Sequence, residues 1–173
     1  MTASQTDAAA MTAPPDAAQT LWDKHLIEQV YFRYCEVIDA KDYDRLDEVF
    51  TNDAVGDYRA ANTHFDPTLA SLIARLKIGM GPQSDCGPTQ HNVFNIRLAI
   101  DGDTAVGKAH FYAVHRGVRD HEGALYSCWG QYDDRWVRTP AGWRVAHRDY
   151  RNFVTEGPVG VIRATRPANT GTG

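Results

Sequence analysis

The 173-residue sequence has only three cysteines, Cys35, Cys86 and Cys128, and no two stand in a CxxC spacing. An odd, scattered set argues against a disulfide framework or a zinc site and suits free thiols in a reducing compartment. A cytoplasmic location is therefore expected. Positive charge is also scarce: 18 Lys and Arg against 22 Asp and Glu leave a net charge of -4. That balance argues against a dedicated nucleic-acid binder, which usually carries a basic stripe. No apolar run approaches the length needed to span a bilayer, so no membrane association is expected. The first twenty residues contain no Lys or Arg and no apolar stretch, so they lack the features of a secretory leader. A glycine-rich phosphate loop and a GxSxG elbow are missing too.

Apolar residues, by contrast, are present in clear patterns. They make up 43% of the chain, enough for one buried core, and the length suits a single domain. Residues 1–20, rich in Ala and Thr and broken by proline, are expected to form a disordered lead-in. From about Leu21 to Ala40, the residues Ile27, Val30, Tyr31, Tyr34, Val37 and Ile38 recur at helical spacing. Tyr43, Leu46, Val49 and Phe50 outline a shorter second helix. Asp66-Pro67 starts a third, with Pro in its first turn and Leu69, Leu72, Ile73 and Leu76 as its buried stripe. Ala54 to Tyr58 reads as a short strand, and Gly79 to Pro88 as a loop.

After His91 the period changes to two. Phe94, Ile96, Leu98 and Ile100 alternate with more polar residues up to the turn Asp101-Gly102-Asp103. Further strands are expected at about Thr104 to Gly117, Ala124 to Arg138, and from the Thr139–Gly142 turn to about Phe153. The Gly-, Pro- and Thr-rich tail, residues 156–173, is expected to be flexible. Helices first and a meander of long strands afterwards imply an α+β domain over residues 21–155. Its helices should pack on one face of an antiparallel sheet, and a sheet that curls around them would leave a hollow for a small molecule.

Alternation sorts the polar groups. Gly107, Ala109, Phe111, Ala113 and His115 share one face of their strand, which points His115 inward and leaves His110 outside. A core histidine satisfied by a backbone carbonyl is the plainer reading of His115 from the strand alone. In the next strand Tyr126, Cys128, Gly130, Tyr132 and Trp136 share a face. Gly130 would leave room for a ligand there and Tyr132 would offer a hydroxyl, against the simpler role of aromatic packing. His91 falls with Val93, Asn95 and Arg97, a polar set, so parity does not bury it. Asp39 closes the first helix, where the macrodipole disfavours an anion. A histidine partner would compensate it, as would plain solvation.

Several segments resemble known enzymes. The run Ile38 to Leu46, followed by Val55-Gly56-Asp57-Tyr58-Arg59, is similar to a segment of scytalone dehydratase. Thr89-Gln90-His91 and Ala113-Val114-His115 resemble its two histidine segments, and the stretch from Tyr31 through Asp39 resembles bile acid 7α-dehydratase. These proteins belong to the SnoaL-like group of the NTF2-like superfamily, with ketosteroid isomerase and hexachlorocyclohexane dehydrochlorinase. The resemblance implies a cone, with a curved sheet wrapped around three helices and an internal pocket. It also implies a catalytic set of Asp39, His91, His115, Tyr58 and Tyr34, chemistry without metal or other cofactor, and assembly as a homodimer or homotrimer. Ile38, Gly130 and Tyr132 stand where scytalone dehydratase carries polar substrate contacts. With Phe111 and Cys128 they would line a more apolar pocket, and scytalone itself is not the expected substrate.

The expected activity is that of a dehydratase or isomerase acting on a small hydrophobic cyclic molecule. A histidine near neutral pKa would move the proton, Asp39 would orient His91 or His115, and tyrosine hydroxyls would hold the carbonyl. Two other readings stay open: a ligand-binding member of the superfamily, and a structural subunit like the small subunit of ring-hydroxylating dioxygenases.

Overall fold

In the computed structural model, residues 16–59 and 66–163 are described. Helix α1 runs from Ala17 to Ala40 and buries Ile27, Tyr31, Tyr34, Val37 and Ile38 along one face. The spacing of these residues is the reason the segment is a helix, and their burial is what holds it to the sheet. Lys41 ends the helix in the left-handed region, at φ 59°. The Lys41 and Asp42 amides then return to the Ile38 and Val37 carbonyls, 3.0 and 3.1 Å away, which satisfies carbonyls the last turn would otherwise orphan. The amino-terminal part of α1 is tied down separately. Asp23, almost fully buried, meets both terminal nitrogens of Arg138 at 2.8 Å and the Trp143 indole N–H at 3.2 Å. The Arg138 hydrogen bonds hold the Asp23 carboxyl down to about 2.

A 3-10 helix, Tyr43–Glu48, follows. Strand β1 (Phe50–Asp57) and helix α2 (Leu69–Gly79) come next. Thr68 caps α2 by accepting the Ser71 amide at 3.2 Å, a role its hydroxyl suits. Four long strands complete the chain: β2 (Cys86–Asp101), β3 (Thr104–Gly117), β4 (Leu125–Thr139) and β5 (Gly142–Glu156). Their order in the sheet is β1-β5-β4-β3-β2. The sheet curves around α1, the first 3-10 helix and α2 without closing, so the architecture is the expected α+β cone. Trp136, Trp143, Tyr31, Phe50 and Leu46 fill the space between the layers.

The details differ from the sequence reading in instructive ways. β1 pairs with β5 in parallel, so the sheet is mixed and not wholly antiparallel; the long connection through α2 and strands β2 to β4 permits what a hairpin could not. Helix α1 begins at Ala17, inside the segment expected to be disordered, while residues 1–15 lie outside those described. Pro67 precedes the cap of α2 and does not sit in its first turn; its carbonyl accepts the Gly56 amide at 2.8 Å. Phe50 belongs to β1 and not to a helix. In the expected tail, Val159–Ile162 form a 3-10 turn that buries Val161 completely; residues 164–173 lie outside those described.

One irregularity decides where the site falls. Between Phe94 and Arg97 the β2–β3 register slips, and Asn95 adopts a left-handed φ of 53°, a conformation asparagine tolerates better than most residues. This is a β-bulge, and it exchanges the faces of β2. Ahead of it, Thr89, His91 and Val93 lie opposite His115, Ala113 and Phe111 on the inward side. Beyond it, Leu98 and Ile100 take that side, opposite Gly107 and Ala105. Parity counted through Asn95 therefore assigned His91 to the wrong set.

Candidate active site

Asp39 stands at the last turn of α1 and reaches the head of β2. Its Oδ1 lies 2.7 Å from His91 Nδ1 and accepts the Thr89 hydroxyl at 2.7 Å, while its Oδ2 accepts the His91 amide at 2.9 Å. The choice left open by the sequence is thus decided: Asp39 orients His91 and not His115. Half-burial raises the Asp39 carboxyl, but the hydrogen bonds from His91 and Thr89 outweigh it and hold the group below its ordinary range. An ionised Asp39 fixes the proton of neutral His91 on Nδ1 and leaves Nε2 as the basic atom.

His115 is the second imidazole. Its ring stands perpendicular to that of His91, with centroids 5.3 Å apart. Its Nδ1 donates to the Tyr126 carbonyl at 3.1 Å, which again turns Nε2 into an acceptor. Burial, reinforced by His91, depresses His115 to about 4. At neutral pH it is uncharged, and its Nε2 is a hydrogen-bond acceptor with no proton to give as an acid. The two histidines differ in chemistry, because one has a carboxylate hydrogen-bonded to its Nδ1 and the other a backbone carbonyl.

Tyr34 lies five residues before Asp39 on α1, about 7.5 Å along the helix axis. Its hydroxyl is 3.5 Å from that of Tyr58. That distance is long for a direct bond, but one acceptor oxygen can lie within reach of both. Burial holds the Tyr34 phenol well above its usual range, so it is a donor and not a phenolate. Around the pair, Tyr58 stacks on Tyr150 at 4.8 Å, Tyr150 on Phe111 at 5.1 Å, and Phe111 on Tyr132 at 4.6 Å. Between this aromatic slab and the histidines lie Ala113 and Cys128, which are cross-strand partners. Burial raises the Cys128 thiol to about 11, so it lines the site as an apolar group.

Beneath Tyr34 and Tyr132 lies an ion pair that the sequence reading missed. Arg148 and Asp134 are both fully buried and joined by two bonds of 2.8 Å. The guanidinium carbon sits 3.9 Å over the Tyr132 ring and 4.6 Å from that of Tyr34. Burial opposes its charge, and the Asp134 carboxylate more than restores it. Asp134 shares its face with Tyr132 and Trp136, so the alternation did signal a carboxylate pointing inward. Arg148 gave no such signal, because the β4–β5 pairing slips at Arg135/Trp136. Tyr150 and Thr89 were also overlooked as site residues.

The predicted set is therefore brought together as two groups, each shared between α1 and the side of the sheet that faces it. Asp39, His91 and His115 form the first, and Tyr34, Tyr58 and Tyr132 the second. Ile38 is packed into the core. Gly130 does not leave the room for a ligand that its place in the sequence led us to expect. A Cβ there would stand 1.9 Å from the Arg151 carbonyl and 2.6 Å from the Phe111 ring. The space is already filled, and Gly130 serves packing. Two clefts of about 500 and 430 Å³ open around Arg97 and Lys108, and neither is lined by His91 or His115. Among the described residues no cluster of three or more His, Cys, Asp or Glu is placed to hold a metal, and no helix is long and apolar enough to cross a membrane.

The molecule is a half-open α+β cone with a His–Asp couple between the end of α1 and the head of β2. The chain belongs to the SnoaL-like domain family, whose model matches residues 19–149. It is 32% identical to the uncharacterized protein Rv2910c of Mycobacterium tuberculosis over 127 residues, 73% of this chain and 82% of that one. Kfla4162 from Kribbella flavida is similar in structure, with a TM-score of 0.69 and 25% identity over 80% of this chain and 95% of its own. A scytalone dehydratase-like protein from Novosphingobium aromaticivorans gives 0.72 at 22% identity, covering 89% and 98%. A type 2 hexachlorocyclohexane dehydrochlorinase, LinA, gives 0.68 at 15%, covering 87% and 97%. The last two show a shared NTF2-like fold.

Proposed function

We propose that the protein is a lyase working without a cofactor, a dehydratase that removes water from a β-hydroxy carbonyl compound. Its substrate class is a cyclic, hydrophobic small molecule of polyketide, terpenoid or steroid type. The observation that carries this reading is the 2.7 Å contact between His91 Nδ1 and Asp39 Oδ1, which leaves Nε2 as the basic atom. His91 Nε2 takes the α-proton, and the C–H electron pair becomes the enolate. Tyr34 and Tyr58 donate to the carbonyl oxygen; donors of this kind are worth about 3–4 kcal/mol each. The C–O bond then breaks as the C=C bond forms, and the proton on His91 passes to the departing hydroxyl, which leaves as water. One imidazole serving as base and then as acid requires both groups on one face, a syn elimination. His115, neutral, accepts a hydrogen bond from the departing group.

Two structural neighbours bear names from elimination chemistry, a scytalone dehydratase-like protein and a dehydrochlorinase, which agrees with this reading. Association as a homodimer or homotrimer and a cytoplasmic location belong to the same proposal. The test is turnover of hydroxylated polycyclic ketones, followed by the ultraviolet absorbance of the conjugated enone. Wild type should convert at least one of them. His91→Ala and Asp39→Asn should each lose about 10³–10⁴-fold with unchanged circular dichroism. Near wild-type turnover in either variant sinks the assignment.

A further inference from the structure

Thr89 has no part in the chemistry above, yet it occupies a distinctive place. It lies two residues before His91 on the inward edge of β2 and directly opposite His115 on β3. Its hydroxyl ends 2.7 Å from Asp39 Oδ1, the same oxygen that His91 Nδ1 contacts at 2.7 Å. One carboxylate oxygen therefore serves two donors. Its charge is shared between a permanent hydroxyl and an imidazole whose own charge changes during a reaction.

Elimination makes opposite demands on that imidazole. His91 must be basic enough to take a proton from carbon, and its imidazolium must then be acidic enough to release that proton to oxygen. A carboxylate acting on His91 alone would favour the first step and hinder the second. We propose that Thr89 is a positioning residue of the couple, holding Asp39 Oδ1 in line with His91 and withholding part of its charge so that the imidazolium can release its proton. The significance for catalysis rests on the dehydratase reading above; the physical claim about Thr89, Asp39 and His91 does not.

The surroundings leave few other groups to produce the same effect. Facing the couple are Cys35 on α1, Lys41 just beyond it, Tyr43 on the 3-10 helix, Cys86 at the head of β2, and His115 on β3. Burial raises Cys35 to about 12 and lifts Cys86 and Tyr43 above their ordinary ranges, while His115 is depressed to about 4. All four are uncharged near neutral pH. Lys41 is the charged member of this group, and it donates to the Cys86 carbonyl at 2.6 Å, an arrangement that does not involve Thr89.

The experiment is an NMR titration of the His91 imidazole in the intact protein, without substrate. In Thr89→Val, Asp39 keeps its second anchor, the His91 amide on Oδ2, so the carboxylate stays in place with its charge undivided. The His91 midpoint should move to higher pH by about half a unit to one unit, roughly half of the one to two units that a hydrogen bond to a charged group is worth. Thr89→Ser, which keeps the hydroxyl, should stay within about 0.2 unit of wild type, well inside that scale. In an Asp39→Asn background the Val substitution should cause no shift, a result that a merely structural role would not produce. Should Thr89→Val fail to fold, Thr89→Ala carries the same expectation. An unchanged or lowered midpoint in the Val or Ala variant overturns the proposal, as does a Ser variant that shifts as far as Val. A failed search for turnover would count against the dehydratase reading and leave this titration unaffected.

Discussion

Replacing Asp134 by Asn tests the ion pair beneath the tyrosines. Both partners have side chains with no exposure to solvent, and among the described residues the second terminal nitrogen of Arg148 finds no hydrogen-bond partner. The guanidinium thus depends on Asp134 and on the faces of Tyr132, Tyr34 and Phe50. The amide keeps the shape but removes the negative charge, leaving a buried cation unpaired. Such a change costs about 3–5 kcal/mol. For a domain of this size each kcal/mol lowers Tm by about 2–4 °C, so a drop of about 6–20 °C is expected. Urea denaturation followed by circular dichroism should show a lower midpoint with an unchanged slope. Replacing both partners, Asp134→Leu with Arg148→Met, should recover most of the loss, because an apolar pair of similar volume leaves no stranded charge. A loss below about 1 kcal/mol in Asp134→Asn would refute the reasoning, since it would mean that the guanidinium has access to water or another anion.

His115 should make stability depend on pH. Its folded value of about 4 lies below the ordinary 6.5, so the unfolded chain binds the proton first as pH falls. Stability is then lost between about pH 6.5 and pH 4, by about 3 kcal/mol at most, and His115→Gln should flatten that slope in urea titrations at pH 7 and pH 5. Gly130→Ala should destabilise by more than about 2 kcal/mol, because the new methyl meets backbone as well as the Phe111 ring. Thermal melts read that directly, and a change within about 0.5 kcal/mol would mean that β4 and β5 can part there at little cost.

The local features were legible because they repeat at short range. The i, i+4, i+7 spacing of Ile27, Tyr31 and Tyr34 defines α1, and the two-residue alternation from Gly107 to His115 defines β3 and turns His115 inward. The Asp-Gly-Asp turn after β2 was equally plain, with Gly102 at a φ of 55°. The pairing of His91 with Asp39 was not legible, since it spans 52 residues and depends on the bulge at Asn95, which reverses the parity of β2. The Arg148–Asp134 pair was hidden by another register slip, and the parallel β1–β5 pairing by the α2 helix and three strands that separate the two in sequence. Gly130 shows the same limit: a missing side chain reads as open space until the neighbouring strand brings Phe111 into it. By itself, then, the sequence determined the elements, the inward face of β3 and the residue types available to the site, because periodicity and turn chemistry act between near neighbours. Only the tertiary structure decided which imidazole has a carboxylate behind it, because that depends on where two distant segments meet.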